Sequence, residues 1–146
     1  MENNDVNSAI SLLSHIHSIT ADFLISQLKD KGFQEFASSH GNILFQLKTN
    51  GEMKMGDLAK NINRDKSTTT VLVRKLESEG LVSTRTDNSD KRSKTIFLTE
   101  KGTQYNKAMG DISKSLLSTF YSGFSENEKN NFYKYLQRIE GNFNKN

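Results

Sequence analysis

Apolar residues return every three or four positions along most of this chain, with short alternating runs only near the middle. From Val6 to Lys31 the stripe Ile10, Leu13, Ile16, Thr20, Phe23, Leu24 and Leu28 predicts a long helix, stopped at Gly32. Leu12 and Ile19 lie off that stripe, so this helix is expected to be apolar on more than one side. The polar residues before it, MENND, read as a frayed end. A second helix opens at Ser38 or Ser39 as N-cap, passes through Ile43, Leu44 and Leu47, and stops at the Asn50-Gly51 turn. Glu52 to Lys54 is too short to assign. Leu58, Ala59 and Ile62 give a short third helix from about Met55 to Asn61.

Asp65 is a good N-cap for a fourth helix, which ends at Gly80. Its inward stripe is Thr69, Leu72, Val73 and Leu76, and its other side carries Lys66, Ser67, Thr70, Val71, Arg74 and Lys75. Leu81 to Thr86 and Thr95 to Leu98 are rich in β-branched and apolar residues and predict paired strands. The charged loop between them, DNSDKRSK, is longer than a tight hairpin needs. Thr99 caps a fifth helix with Tyr105, Met109, Ile112, Leu116 and Phe120 on one side, ended by Gly123. Ser125 and Glu128 form a capping-box pattern for a sixth, with the stripe Phe132, Leu136, Ile139 and Phe143.

The expected fold is therefore mainly α with a small β-ribbon: a winged helix-turn-helix flanked by long N- and C-terminal helices. The predicted organisation is a single domain over 1–146. Within it, 36–98 form the winged helix-turn-helix part, and 6–32 with 99–143 form a helical part. At 146 residues, the hydrophobic fraction of 34% is low for a self-contained globule, which points to burial shared with a second copy. No uninterrupted run of about 18 apolar residues and no basic-then-apolar leader is present, so no membrane partner and a cytoplasmic location are expected. The absence of cysteine excludes disulfides, thiol catalysis, thiol redox sensing and Cys-type zinc sites.

Charge then picks out one stretch. Eight basic and five acidic residues fall between positions 64 and 94, an excess equal to the whole chain's +3. Arg64, Lys66, Arg74, Lys75, Arg85, Lys91, Arg92 and Lys94 carry it. A helix enters the DNA major groove when its outward residues near the N-terminus are short, polar or cationic. Ser67, Thr68 and Thr70 suit phosphates or base edges, Val71 suits a thymine methyl, and Arg74 suits a base or phosphate. Three consecutive threonines are poor helix formers and hard to justify by stability. An ordinary solvated helix face is the other reading. In the loop, Arg92 at a ribbon tip suits an adjacent minor groove, and Asp90 is placed to brace the arginine or the turn. A plain solvated turn is the other reading there.

Leu58-Ala59, Asp65-Lys66-Ser67-Thr68, Leu72-Val73-Arg74-Lys75-Leu76-Glu77, Gly80-Leu81-Val82, Arg85, Asp90-Lys91-Arg92 and Leu98-Thr99-Glu100-Lys101-Gly102 together resemble the multiple-antibiotic-resistance regulator (MarR) family. The likeness is densest over residues 55 to 103. It implies a homodimeric winged-helix transcription factor, usually a repressor. Such a factor is released from a pseudo-palindromic operator on double-stranded DNA by a small-molecule effector or oxidant. It also implies that the helix at about 65–79 is the recognition helix, that Arg92 is the minor-groove residue of the wing with Asp90 as its brace, and that the first and last two helices dimerise. The peroxide-sensing subgroup uses a cysteine, which this chain lacks.

Other chemistry is thin. His15 and His17 stand two apart on a helix and point to different sides, and His40 begins the second helix, within reach of a phosphate. No metal site and no cofactor are expected. Phe23, Phe36, Phe45, Tyr105, Phe120, Tyr121 and Phe124 suit either an effector pocket or core packing. His17, Phe23, Phe45 and Tyr105 are the candidate effector-binding residues. No catalytic constellation is present, so an enzyme is not expected. The competing functions are a winged-helix protein-interaction module and a non-specific architectural DNA binder.

Overall fold

The computed structural model describes residues 3–34 and 38–144. The elements in order are α1 (Asn3–Asn7), α2 (Ala9–Asp30), α3 (Ser38–Asn50), β1 (Met53–Lys54), α4 (Met55–Asn61), α5 (Lys66–Ser78), β2 (Val82–Thr86), β3 (Lys94–Leu98), α6 (Glu100–Phe120) and α7 (Glu126–Phe143). This is the mainly helical winged fold the periodicity predicts, with three differences. The expected frayed end contains the short helix α1. The ribbon is one strand wider, because β1 adds to the free edge of β3 and gives the antiparallel order β1-β3-β2. A two-residue strand carries no alternation of its own, so only its cross-strand partners reveal it. Met53 pairs with Ile96 and Lys54 with Thr95. Ser38 and Ser39 begin α3 rather than precede it.

The chain divides into two compact units, Met1–Ile112 and Ser113–Asn146. In the first, Leu28, Ile43, Leu44, Leu47, Leu58, Val73, Leu76, Leu81, Ile96 and Ile112 form one continuous apolar cluster, with Phe23, Leu24 and Leu72 packed against it. Two polar contacts lock its parts together. Buried Asn106 of α6 donates from Nδ2 to the Leu44 carbonyl of α3 at 3.0 Å, satisfying a donor that would otherwise be costly to bury. Thr99 donates its hydroxyl to the Gly80 carbonyl at 2.5 Å and accepts from the Gly102 N–H at 3.1 Å, so one side chain ties the end of α5 to the start of α6. Gly102 packs against the backbone there. A Cβ at this position would stand 2.0 Å from the Leu81 carbonyl oxygen, which no side chain tolerates.

The second unit has its own small aromatic cluster. Phe120 lies 4.9 Å from Tyr121 and 6.0 Å from Phe132, ring centre to ring centre, and Tyr121 lies 5.9 Å from Phe124. Ser125 and Glu128 close the predicted capping box at the start of α7, with bonds of 2.7 and 3.2 Å. No residue of α7 is buried, and Tyr133, Tyr135, Ile139 and Phe143 face solvent. In the first unit α2 behaves alike: Leu28 is its one buried residue, while Ile10, Leu12, Leu13 and Ile19 are exposed. By length and composition alone α2 is apolar enough to cross a membrane, which uninterrupted runs do not reveal. His15, His17 and Asp22 interrupt its apolar surface.

Candidate nucleic-acid interface

The helix-turn-helix is α4 and α5, joined by a turn in which Asn63 adopts φ +55°. Asparagine is one of the few non-glycine residues that visit this left-handed region readily. Asp65 then starts α5 and organises its whole first turn. Its carboxylate accepts from the Thr68 N–H at 2.7 Å, the Ser67 hydroxyl at 2.8 Å and the Thr68 hydroxyl at 3.0 Å. These bonds, led by the Thr68 N–H, hold the Asp65 carboxyl below its ordinary pKa. Thr69 is fully buried, with its hydroxyl donating to the Asp65 carbonyl at 2.8 Å. Thr70 donates to the Lys66 carbonyl at the same distance. The threonine run that propensity alone cannot justify therefore serves as capping and packing.

These bonds also restrict what the helix face can do. The Ser67, Thr68 and Thr70 hydroxyl hydrogens are already donated inside the helix, which leaves lone pairs facing outward. Phosphate oxygens only accept, whereas the amino groups of adenine and cytosine donate, so the face as built suits base edges better than phosphate. Thr69, Val73 and Leu76 are buried and Leu72 half-buried, while Lys66, Ser67, Thr68, Val71, Arg74 and Lys75 are exposed. Val71 is 64% exposed, an isolated apolar side chain on a polar face.

The wing is held by two aspartates. Asp87 accepts from both the N–H and hydroxyl of Ser89, at 3.0 and 2.8 Å, which lowers its pKa. Asp90 accepts from the Arg92 N–H at 2.9 Å, and the Ser93 N–H donates to the Asp90 carbonyl at 3.0 Å. Asp90 thus braces the turn through the Arg92 backbone. Lys91, Arg92 and Lys94 are exposed. Between wing and helix lies an open cleft of about 280 Å³, lined by Lys54, Gly56, Lys66, Arg92 and Lys94 and by Asp57 and Asp90. Among the described residues, none of these four cations takes part in an ion pair.

A sequence model of the MarR family matches residues 36–94, the stretch that holds all of this geometry. The chain is 28% identical over 104 residues to the HTH-type transcriptional regulator SarZ of Staphylococcus epidermidis, covering 70% of this chain and 69% of that one. The helix-turn-helix and wing of this chain match the MarR family. Two solved structures agree in fold. The heme sensor protein PefR of Streptococcus agalactiae, in complex with heme, superimposes with a TM-score of 0.74 at 23% identity, over 97% of this chain and 95% of PefR. A point mutant of MepR from S. aureus, bound to an oligodeoxyribonucleotide, gives 0.61 at 23% identity, over 92% of this chain and 97% of MepR.

Within this winged-helix fold the remaining candidates fall in different places. Arg64 is exposed beside Ser39 and Asn42 in a second small cleft. Lys75 pairs with Glu79 of its own helix at 3.0 Å. Arg85 is turned to Glu52 and stacks over Phe97. His40 is half-buried, and burial, followed by repulsion from Lys75, pushes its pKa down. Lys54 is the cleft residue that sequence reasoning missed, since it lies on the strand too short to assign. The four effector candidates lie in different surroundings. Tyr105 is in the core, edge-on to Phe33 at 5.3 Å, and Phe23 packs against that core. Phe45 and His17 are exposed, and Phe36 lies outside the described residues.

Proposed function

We propose that this chain is a MarR-family transcriptional regulator that works as a homodimer on a pseudo-palindromic operator. Each chain would set α5 in a major groove and the wing in the neighbouring minor groove, with half-sites about 10 bp apart. The observation that carries this reading is the pairing of an outward α5 face (Ser67, Thr70, Val71, Arg74) with a cleft beside the wing whose four cations form no ion pair among the described residues. Ser67 and Thr70 would accept from base amino groups, Val71 would meet a thymine methyl, and Lys54, Lys66, Arg92 and Lys94 would follow the phosphates. Arg64, Thr68, Arg74, Lys75, Lys91 and the Asp90-braced turn complete the proposed DNA surface. The low apolar fraction and the uncovered faces of α2 and α7 support self-association through these helices.

The regulator would be cytoplasmic and act as a repressor released by a small molecule. A ligand that favours a different spacing of the two recognition helices would cost operator affinity, because that spacing must match the DNA repeat. PefR, whose structure holds heme, supports small-molecule control as a property to test. The test of function is a titration of the chain's own upstream region against excess random duplex at near-physiological salt. A large affinity ratio supports the regulator, equal binding supports an architectural protein, and no binding supports a protein-interaction module.

A further inference from the structure

Arg85 sits on β2, paired through its backbone with Thr95 of β3, and Thr95 pairs in turn with Lys54 of β1. Its guanidinium lies 5.6 Å over the Phe97 ring of β3 and reaches past that strand to Glu52, beside β1. There Nη1 donates to Oε1 at 2.8 Å and Nη2 donates to Oε2, a two-pronged grip across the whole sheet. Of the three ion pairs among the described residues, the other two lie within one turn of a helix. Each partner stabilises the charged form of the other: Arg85 lowers the Glu52 carboxyl and Glu52 raises Arg85. The pair is therefore closed and close to neutral. A phosphate would have to displace a carboxylate to reach this arginine, whereas Arg92 and Lys94 offer themselves freely.

We propose that Arg85 is a positioning residue of the wing, clamped to Glu52, and not a phosphate contact. A two-stranded ribbon with a charged loop has little to fix its direction, and β1 contributes only two paired residues. The clamp ties the outer strand β2 to the segment entering β1, so the Arg92 tip keeps its place beside α5. This rests on the DNA-reading function proposed above.

The two roles predict opposite signs at Glu52. The probe is a duplex that the wild-type protein selects from a random-sequence pool, titrated over a range of salt. If Arg85 holds the wing, Glu52→Gln and Arg85→Gln each weaken binding about two- to fivefold, although the first makes the protein more positive. The double variant then binds no worse than either single one, because the two side chains act as a unit. Arg85→Gln keeps the wild-type salt slope, and thermal midpoints stay near wild type because both side chains are exposed. Unchanged or tighter binding by Glu52→Gln overturns the proposal. So does a salt slope lowered by about 0.9 in Arg85→Gln, the mark of one lost phosphate contact. A wild-type protein that selects no sequence at all overturns the regulator reading, and the clamp's purpose with it.

Discussion

Helices α5 and α7 start alike and end differently. Each is capped by its own side chain, Asp65 or Ser125, and each carries an apolar stripe at helical spacing. Yet α5 buries Thr69, Val73 and Leu76 completely, while α7 buries nothing. The difference separates two meanings of one pattern. The stripe of α5 is answered within the chain by α3, α4 and the sheet, so this helix is held by the first unit's own core. The stripe of α7 is met only at its start, where Phe132 is half-buried against Phe120 and Tyr121, while Ile139 and Phe143 face solvent. Periodicity announces that a face must be covered. It does not say by what.

Substitutions sharpen that contrast, beginning with the largest effect. Leu76→Ala, at a fully buried site, should lower stability by about 2–5 kcal/mol in urea unfolding, equally at every protein concentration. A cost below about 1 kcal/mol would mean that α5 is not core-held. Gly102→Ala should cost about 1–3 kcal/mol, since its Cβ would collide with the Leu81 carbonyl and force α6 away from the end of α5. An unshifted melting temperature would refute that contact. Ile139→Asp, on exposed α7, should instead weaken self-association by about 1–2 kcal/mol. It should also leave a melting temperature that no longer rises with protein concentration. Equal sedimentation of variant and wild type would break the comparison. Arg92→Ala should leave folding untouched, weaken operator binding by about 1 kcal/mol and reduce the salt slope by about 0.9. A gel-shift titration with unchanged slope would remove the wing tip from the interface.

Much of this was legible in the chain because the signals are local. The Asp65 cap, the Thr69–Leu76 stripe and the Ser125–Glu128 box are all read within one or two helical turns, and the structure forms each of them. What escaped depends on distant residues. Strand β1 exists because Met53 meets Ile96, 43 positions away, and nothing in two residues could announce it. Arg85 is a free cation by local sequence alone, because its partner Glu52 lies 33 positions earlier. The threonines were judged by propensity in an average helix, where their hydroxyls have no assigned acceptors; here Asp65 and the carbonyls of residues 65 and 66 accept them. The family-like run from Leu98 to Gly102 was visible, but its reason, a backbone approach that leaves no room for a Cβ, is purely geometric.

The most direct test of a two-chain reader of DNA is one titration by fluorescence anisotropy, with a labelled duplex that the protein has selected from a random pool. Carried out at a duplex concentration well above the dissociation constant, with random duplex as competitor, it reads stoichiometry and specificity together. Saturation at two chains per duplex, resisting a large excess of random DNA, is the predicted result. Saturation at one chain, or displacement by an equal amount of random duplex, would contradict it.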